Sequence, residues 1–227
     1  MTPSDQMKDY DFVVSGLFDG LFIMEDEQTS SLWNHMTGEA VYGTHTGDSI
    51  PISNLLHMNV TQAIEVDPET RVAISDRPYN LDNENPSRWT PEDKDASLNQ
   101  VFVSTLGLED KRLPRMDIGL GIWTEDTQRY YSVDALRRSG HSKIENLDGK
   151  DLLVVTDPLT ATPRAYYWST TKVERVGREL LLDDGYLIRN GQIFDEDGNR
   201  AVFEETQQIF TRWYGFSLTF PETEVVR

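Results

Sequence analysis

The apolar runs of this chain are short, and each is stopped by an Asp-Gly, a Gly or a Pro. From Phe12 to Glu25 the sequence reads FVVSGLFDGLFIME, two β-favouring runs on either side of Asp19-Gly20. Asp-Gly between such runs marks a hairpin, because Gly accepts the positive φ that a tight turn needs. The same punctuation recurs to the C-terminus. It predicts a mainly β, β-rich α+β fold: two similar antiparallel β units with a few short helices.

Further elements follow from the same reading. SLWNH and EAVYG are strands around Met36-Thr37-Gly38. NLLHMNVTQAIEVD has a helical pattern, with Leu55, Leu56, Met58 and Ile64 to one side and Pro68 as its stop. RVAIS, VFVSTLGL, DIGLGIWTE and QRYYSV are strands, and DALRRSG is a short helix ended by Gly140. DLLVVTD is nearly all apolar, as a strand buried on both faces would be. PRAYYWST and ELLLDDGYLI are strands, QIFDEDGNRAVF a hairpin, and TQQIFTRWYGFSLTF a helix with aromatic anchors. Residues 76–100 are polar and hold three Pro. They divide the chain into a first β unit (1–75), a connector (76–100) and a second β unit (101–227), expected to pack as one body.

Two regions resemble each other. Asp19-Gly20-Leu21-Phe22-Ile23 parallels Asp184-Gly185-Tyr186-Leu187-Ile188. Trp33 precedes Ala40-Val41 by the same interval as Phe194 precedes Ala201-Val202, and Pro68-Glu69-Thr70 parallels Pro221-Glu222-Thr223. Three matches in one order point to an internal duplication. In the second copy Phe replaces Trp33 and there is no His. The segment SLWNHMTGEA is therefore first of all a hairpin, with Trp33 toward a core and His35 on the same face nearer the rim.

Composition excludes several functions. The net charge of −18 repels nucleic acid and anionic lipid, so neither is an expected partner. With no Cys, disulfides, thiolate nucleophiles and Cys-ligated metals are ruled out. No apolar run is long enough to span a membrane, so no membrane insertion is expected. The N-terminus lacks the basic and apolar regions of a signal peptide, so the chain as given reads as soluble and cytoplasmic; an extracytoplasmic setting would follow if it is processed or truncated.

Candidate sites are sparse. His35 and Glu39, with Asp19, would form a catalytic acid–base group if the fold brought them into one cleft; thirty-nine acidic residues also make chance pairs common. His35, His45 and His57 number enough to ligate a metal, but their loose spacing matches no metal motif, and no metal or other cofactor is expected. His141 follows Gly140 as a solvated helix end. Asp195 to Asn199 resembles a calcium loop, but Gly198 is fourth rather than sixth and Thr206 stands at the twelfth position, which leaves a hairpin turn. Ser15 lacks a nucleophile elbow and reads as a strand residue. Trp213-Tyr214 could stack on a ligand ring or fill a core.

Together these residues resemble one family. Val14-Ser15-Gly16-Leu17, Ser31-Leu32-Trp33 and Thr37-Gly38-Glu39-Ala40 are similar to motifs of DUF3179, a bacterial and archaeal domain of unknown function. RLPRMDIGLGI, DGKDLLVV and FTRWYGFSLTFPETEVV resemble its later elements, so the likeness runs from about Phe12 to Val226. Two departures stand out. The family's opening His-Glu and Cys-Pro-Leu-Cys-Gly motifs are missing, so no role residing there carries over. Its Thr-Gly-Ser is replaced here by Thr29-Ser30-Ser31. Two functions remain: a non-catalytic β-rich module binding a small ligand or protein partner in a groove between the repeats, or a hydrolase-like enzyme using His and carboxylates in that groove.

Overall fold

The Asp19-Gly20 turn forms as its residues demand. In the computed structural model, which describes residues 10–74 and 98–226, Asp19 and Gly20 have φ of 50° and 72°. They close strand β1 (Phe12–Phe18) onto β2 (Leu21–Asp26). Pairing passes from Val14–Met24 to Gly16–Ile23, which makes Ser15 the extra residue of a β-bulge. β3 (Leu32–Asn34) and β4 (Ala40–Tyr42) complete an antiparallel meander in the order β1-β2-β3-β4. Trp33 pairs with Ala40 across the β3–β4 hairpin and is 1% exposed, packed among the rings of Tyr10, Phe12 and His45. Residues 10–53 with 98–109 form one compact unit; residues 54–74 with 110–226 form another.

The helices depart most from expectation. α1 spans only Val60–Val66. Asn59 accepts from the Gln62 amide while the Gln62 side chain accepts from the Asn59 amide, a capping box that fixes the start and leaves 54–58 outside the helix. Leu55, expected on its apolar side, is 83% exposed. VFVSTLGL is not a strand. Asn59's counterpart here is Asn99, which caps α2 (Gln100–Val103), and the Ser104 and Thr105 hydroxyls bond back to Val101 and Phe102 carbonyls. α3 (Val133–Arg138) falls where DALRRSG placed it. α4 (Trp213–Thr219) takes only the second half of the segment expected to be helical. Residues 71–74 of RVAIS form no strand, and the connector 76–100 lies outside the described residues except at its last three positions.

The larger unit is built of three sheets. β5 (Ile118–Trp123) and β6 (Gln128–Ser132) form a hairpin, flanked by antiparallel β14 (Gln207–Arg212) and parallel β15 (Glu224–Val226). QQIFTR, read above as helix, is a strand because β5 offers it a full ladder of partners. β7 (Ser142–Leu147), β8 (Lys150–Thr156) and β9 (Pro163–Tyr167) form the second sheet. β10 (Val173–Val176), β11 (Glu179–Leu182), β12 (Leu187–Arg189) and β13 (Gln192–Phe194) form the third. β8 is central, and its alternation divides its side chains between two cores. Leu152 and Val154 join Leu120, Ile122, Tyr131 and Leu136; Leu153 and Val155 join Tyr166, Leu180, Ile188 and Ile193.

The fold is thus β-rich, with fifteen strands and four short helices among the described residues. None of those helices is long and apolar enough to cross a membrane.

Candidate functional site

The hairpin SLWNHMTGEA holds its polar residues in local contacts. The Asn34 side chain accepts from the amide of Met36, and Gly38 has φ of 75°. A Cβ at Gly38 would lie 2.5 Å from the Ile50 carbonyl, so the turn requires Gly. His35 continues the strand register opposite Phe22; the two rings stack at 3.9 Å, and Nδ1 lies 2.9 Å from the Phe22 carbonyl oxygen. Burial holds its pKa below the ordinary imidazole value, with the Phe22 carbonyl opposing. Glu39 is exposed and accepts from the Thr37 hydroxyl. Asp19 sits in the β1–β2 turn, with a carboxylate oxygen close to Gly107. No hydrogen bond joins His35, Glu39 and Asp19 among the described residues.

A more tightly built group stands next to them. Asp26 is fully buried at the end of β2 and accepts from the Trp33 indole N–H at 2.8 Å, the Thr29 amide at 2.6 Å and the Thr29 hydroxyl at 2.8 Å. Burial opposes its charge, but these donors outweigh it and hold the carboxyl below its ordinary pKa of 3.8. Between Thr29 and Ser31, Ser30 is forced to φ of 54°, the left-handed region that suits the Gly of the related motif. The Asp-x-x-Thr spacing is the sequence signal for this network: an Asp side chain bonding backbone a few residues on. The network positions Trp33 and is structural.

The remaining sequence candidates are dispersed. Trp213 is fully buried and donates its indole N–H to the Asp110 carbonyl at 2.8 Å, so its ring is part of the core. Tyr214 is half-buried, its amide donating to the Arg115 carbonyl. His45 pairs with Asp48, and His57 packs edge-on against Phe210. His141 is half-buried, its Nδ1 2.9 Å from the Thr156 hydroxyl, and is not the solvated end expected of it. Asp195 accepts from the Asn199 amide in a hairpin turn. No group of three potential metal ligands occurs among the described residues.

The larger unit holds a cavity of about 50 Å³ that none of these residues except His57 touches. Its apolar wall comes from Leu56, Leu120, Val155, Leu180, Ile188 and Phe210. Leu120 belongs to one core cluster, while Val155, Leu180 and Ile188 belong to the other. The polar side chains around it are largely engaged in hydrogen bonds within the unit. Asn54 donates to the Thr206 carbonyl, Gln62 to Asp157, Asn190 to Glu65, and Gln208 to the Ala165 carbonyl. Arg164 also lines the cavity, from the start of β9. Sequence reasoning missed this site because its wall is drawn from segments between residues 54 and 210, none with a motif of its own.

Residues 4–223 match the family described as "Protein of unknown function (DUF3179)". The chain belongs to DUF3179. No curated protein and no solved structure matches it. In this DUF3179 member the matched region takes in both the Asp26–Trp33 network and the whole wall of the cavity.

Proposed function

We propose that this DUF3179 chain is a non-catalytic binding module and that the cavity of its larger unit is its ligand site. One observation carries the reading: a preformed, mostly apolar cavity whose polar neighbours are largely held by hydrogen bonds within the unit. Among the described residues His35, Glu39 and Asp19 share no hydrogen bond, so their placement adds no support to the hydrolase alternative. The net charge of −18 disfavours nucleic acid as the ligand. We further propose the duplication. The seven-residue helices α1 and α4 are each followed by Pro-Glu-Thr, and each copy's Asp-Gly turn leads into an antiparallel meander.

Leu56 lines the cavity and is 39% exposed, so Leu56→Trp can fill its mouth from the solvent side without rebuilding the core. A small apolar probe such as 1-pentanol should shift cavity-wall NMR resonances in the native chain, and Leu56→Trp should weaken that binding at least about tenfold. Failure of the probe to bind, or equal binding by the variant, would overturn the proposal.

A further inference from the structure

Arg164 is the one cation in the cavity wall whose donors are not all used. Its side chain is 12% exposed. The guanidinium lies 5.3 Å from the Tyr166 ring centroid, and Nη2 is 3.5 Å from Glu205 Oε1. Nη1 is buried and has no hydrogen-bond partner. It faces the Asn190-Gly191 turn, where a Cβ at Gly191 would stand 2.8 Å from it. Gly191, with φ of 72°, has no side chain and lets this buried cationic N–H pack against the turn.

A buried donor without an acceptor is costly, and more so on a charged group. Water is a poor remedy where the wall is apolar, since a buried water needs two or more partners. A carboxylate is a better one, because its hydrogen bond to guanidinium is charge-assisted. The nearby acids do not supply it. Asp157 Oδ1 accepts from the Leu159 and Thr160 amides and the Thr160 hydroxyl, and Oδ2 from Gln62. Glu205 is 53% exposed and also accepts from Asn54.

Resting on the reading of this cavity as a ligand site, we infer that it takes a short-chain monocarboxylate. One carboxylate oxygen accepts from Arg164 Nη1, and the aliphatic tail lies among Leu180, Ile188 and Phe210. Affinities for pentanoate, 1-pentanol and pentylamine, measured by calorimetry on the whole chain, test this. Pentanoate should bind at least about tenfold tighter than 1-pentanol. Arg164→Met should bring pentanoate down to the level of 1-pentanol and leave 1-pentanol unchanged. Glu205→Gln, which removes the competing carboxylate, should tighten pentanoate severalfold, and it decides the matter if Arg164→Met does not fold. Equal affinity for pentanoate and 1-pentanol, or preference for pentylamine, overturns the carboxylate inference while leaving the cavity as a binding site. If none of the three binds, both readings fall.

Discussion

Replacing Gly121 by Ala should destabilise the larger unit, against the usual benefit of Gly→Ala in a strand. Gly121 is in β5 and has an ordinary extended backbone, so Ala could adopt its conformation. Losing a glycine's freedom in the unfolded chain would then favour folding by about 0.5–1 kcal/mol. The obstacle is Phe216 of α4. A Cβ on Gly121 would meet three carbons of its ring, the farthest at 2.7 Å, whereas carbon atoms pack at roughly 3.5–4.0 Å. The ring must retreat by about 1 Å or more, and it has no room. Phe216 is fully buried, with Trp123 at 6.3 Å, Tyr130 at 5.7 Å and Phe220 at 4.9 Å between ring centroids. Overpacking of this kind costs about 1–3 kcal/mol, and a clash with an enclosed ring belongs at the upper end. The net expectation is a loss of about 2 kcal/mol, or roughly 4–8 °C in Tm. Urea unfolding followed by fluorescence reads it directly, since Trp123 and Trp213 both adjoin the affected rings. Phe216→Leu in the Gly121→Ala background should recover part of the loss, giving a coupling of at least about 0.5 kcal/mol in a double-mutant cycle. An unchanged midpoint for Gly121→Ala, or strict additivity with Phe216→Leu, would refute the packing argument.

Two further outcomes are expected in the smaller unit. The folded-state pKa of Asp26 is depressed, so the stability it contributes is complete above the unfolded value near 3.8 and is lost as pH falls through the lower folded value. Asp26→Asn should therefore flatten the acid limb of the stability–pH curve below about pH 4, and a limb as steep as the parent's would show that Asp26 does not govern it. Ser30→Gly should stabilise, because relief of a left-handed non-glycine residue, about 1–3 kcal/mol, exceeds the added unfolded-state entropy of Gly, about 0.5–1 kcal/mol; a lower urea midpoint in Ser30→Gly would contradict this.

What could be read from the sequence was what local chemistry dictates. Asp19-Gly20 and Gly38 take positive φ, so the first and last of the three hairpins of the first meander were visible, and β8 was visible as a continuous apolar run. VFVSTLGL misled because an apolar run specifies burial and not pairing; without a partner strand, Asn99 and two back-bonding hydroxyls settled it as a helix and turn. TQQIFTR misled in the opposite sense, since only the ladder with β5 makes it a strand. The pairing of His35 and Glu39 was plausible by spacing, but the stacking of His35 on Phe22 is a tertiary fact. The cavity left no trace, because whether Arg164 Nη1 has an acceptor depends on where Asn190 and Gly191 turn, some twenty-six residues along the chain.

The alternation of β8 has a consequence for how the larger unit responds to anything it holds. Leu152 and Leu153 are adjacent in the backbone yet belong to different cores, so the two clusters share one wall. The cavity draws Leu120 from one cluster and Val155 from the other. A small molecule bound there touches both at once, and mass action credits its free energy to the native state of the whole assembly of sheets. For such a molecule the unit would be a reporter, in which occupancy of a few tens of cubic ångströms is read out as the persistence of its three sheets.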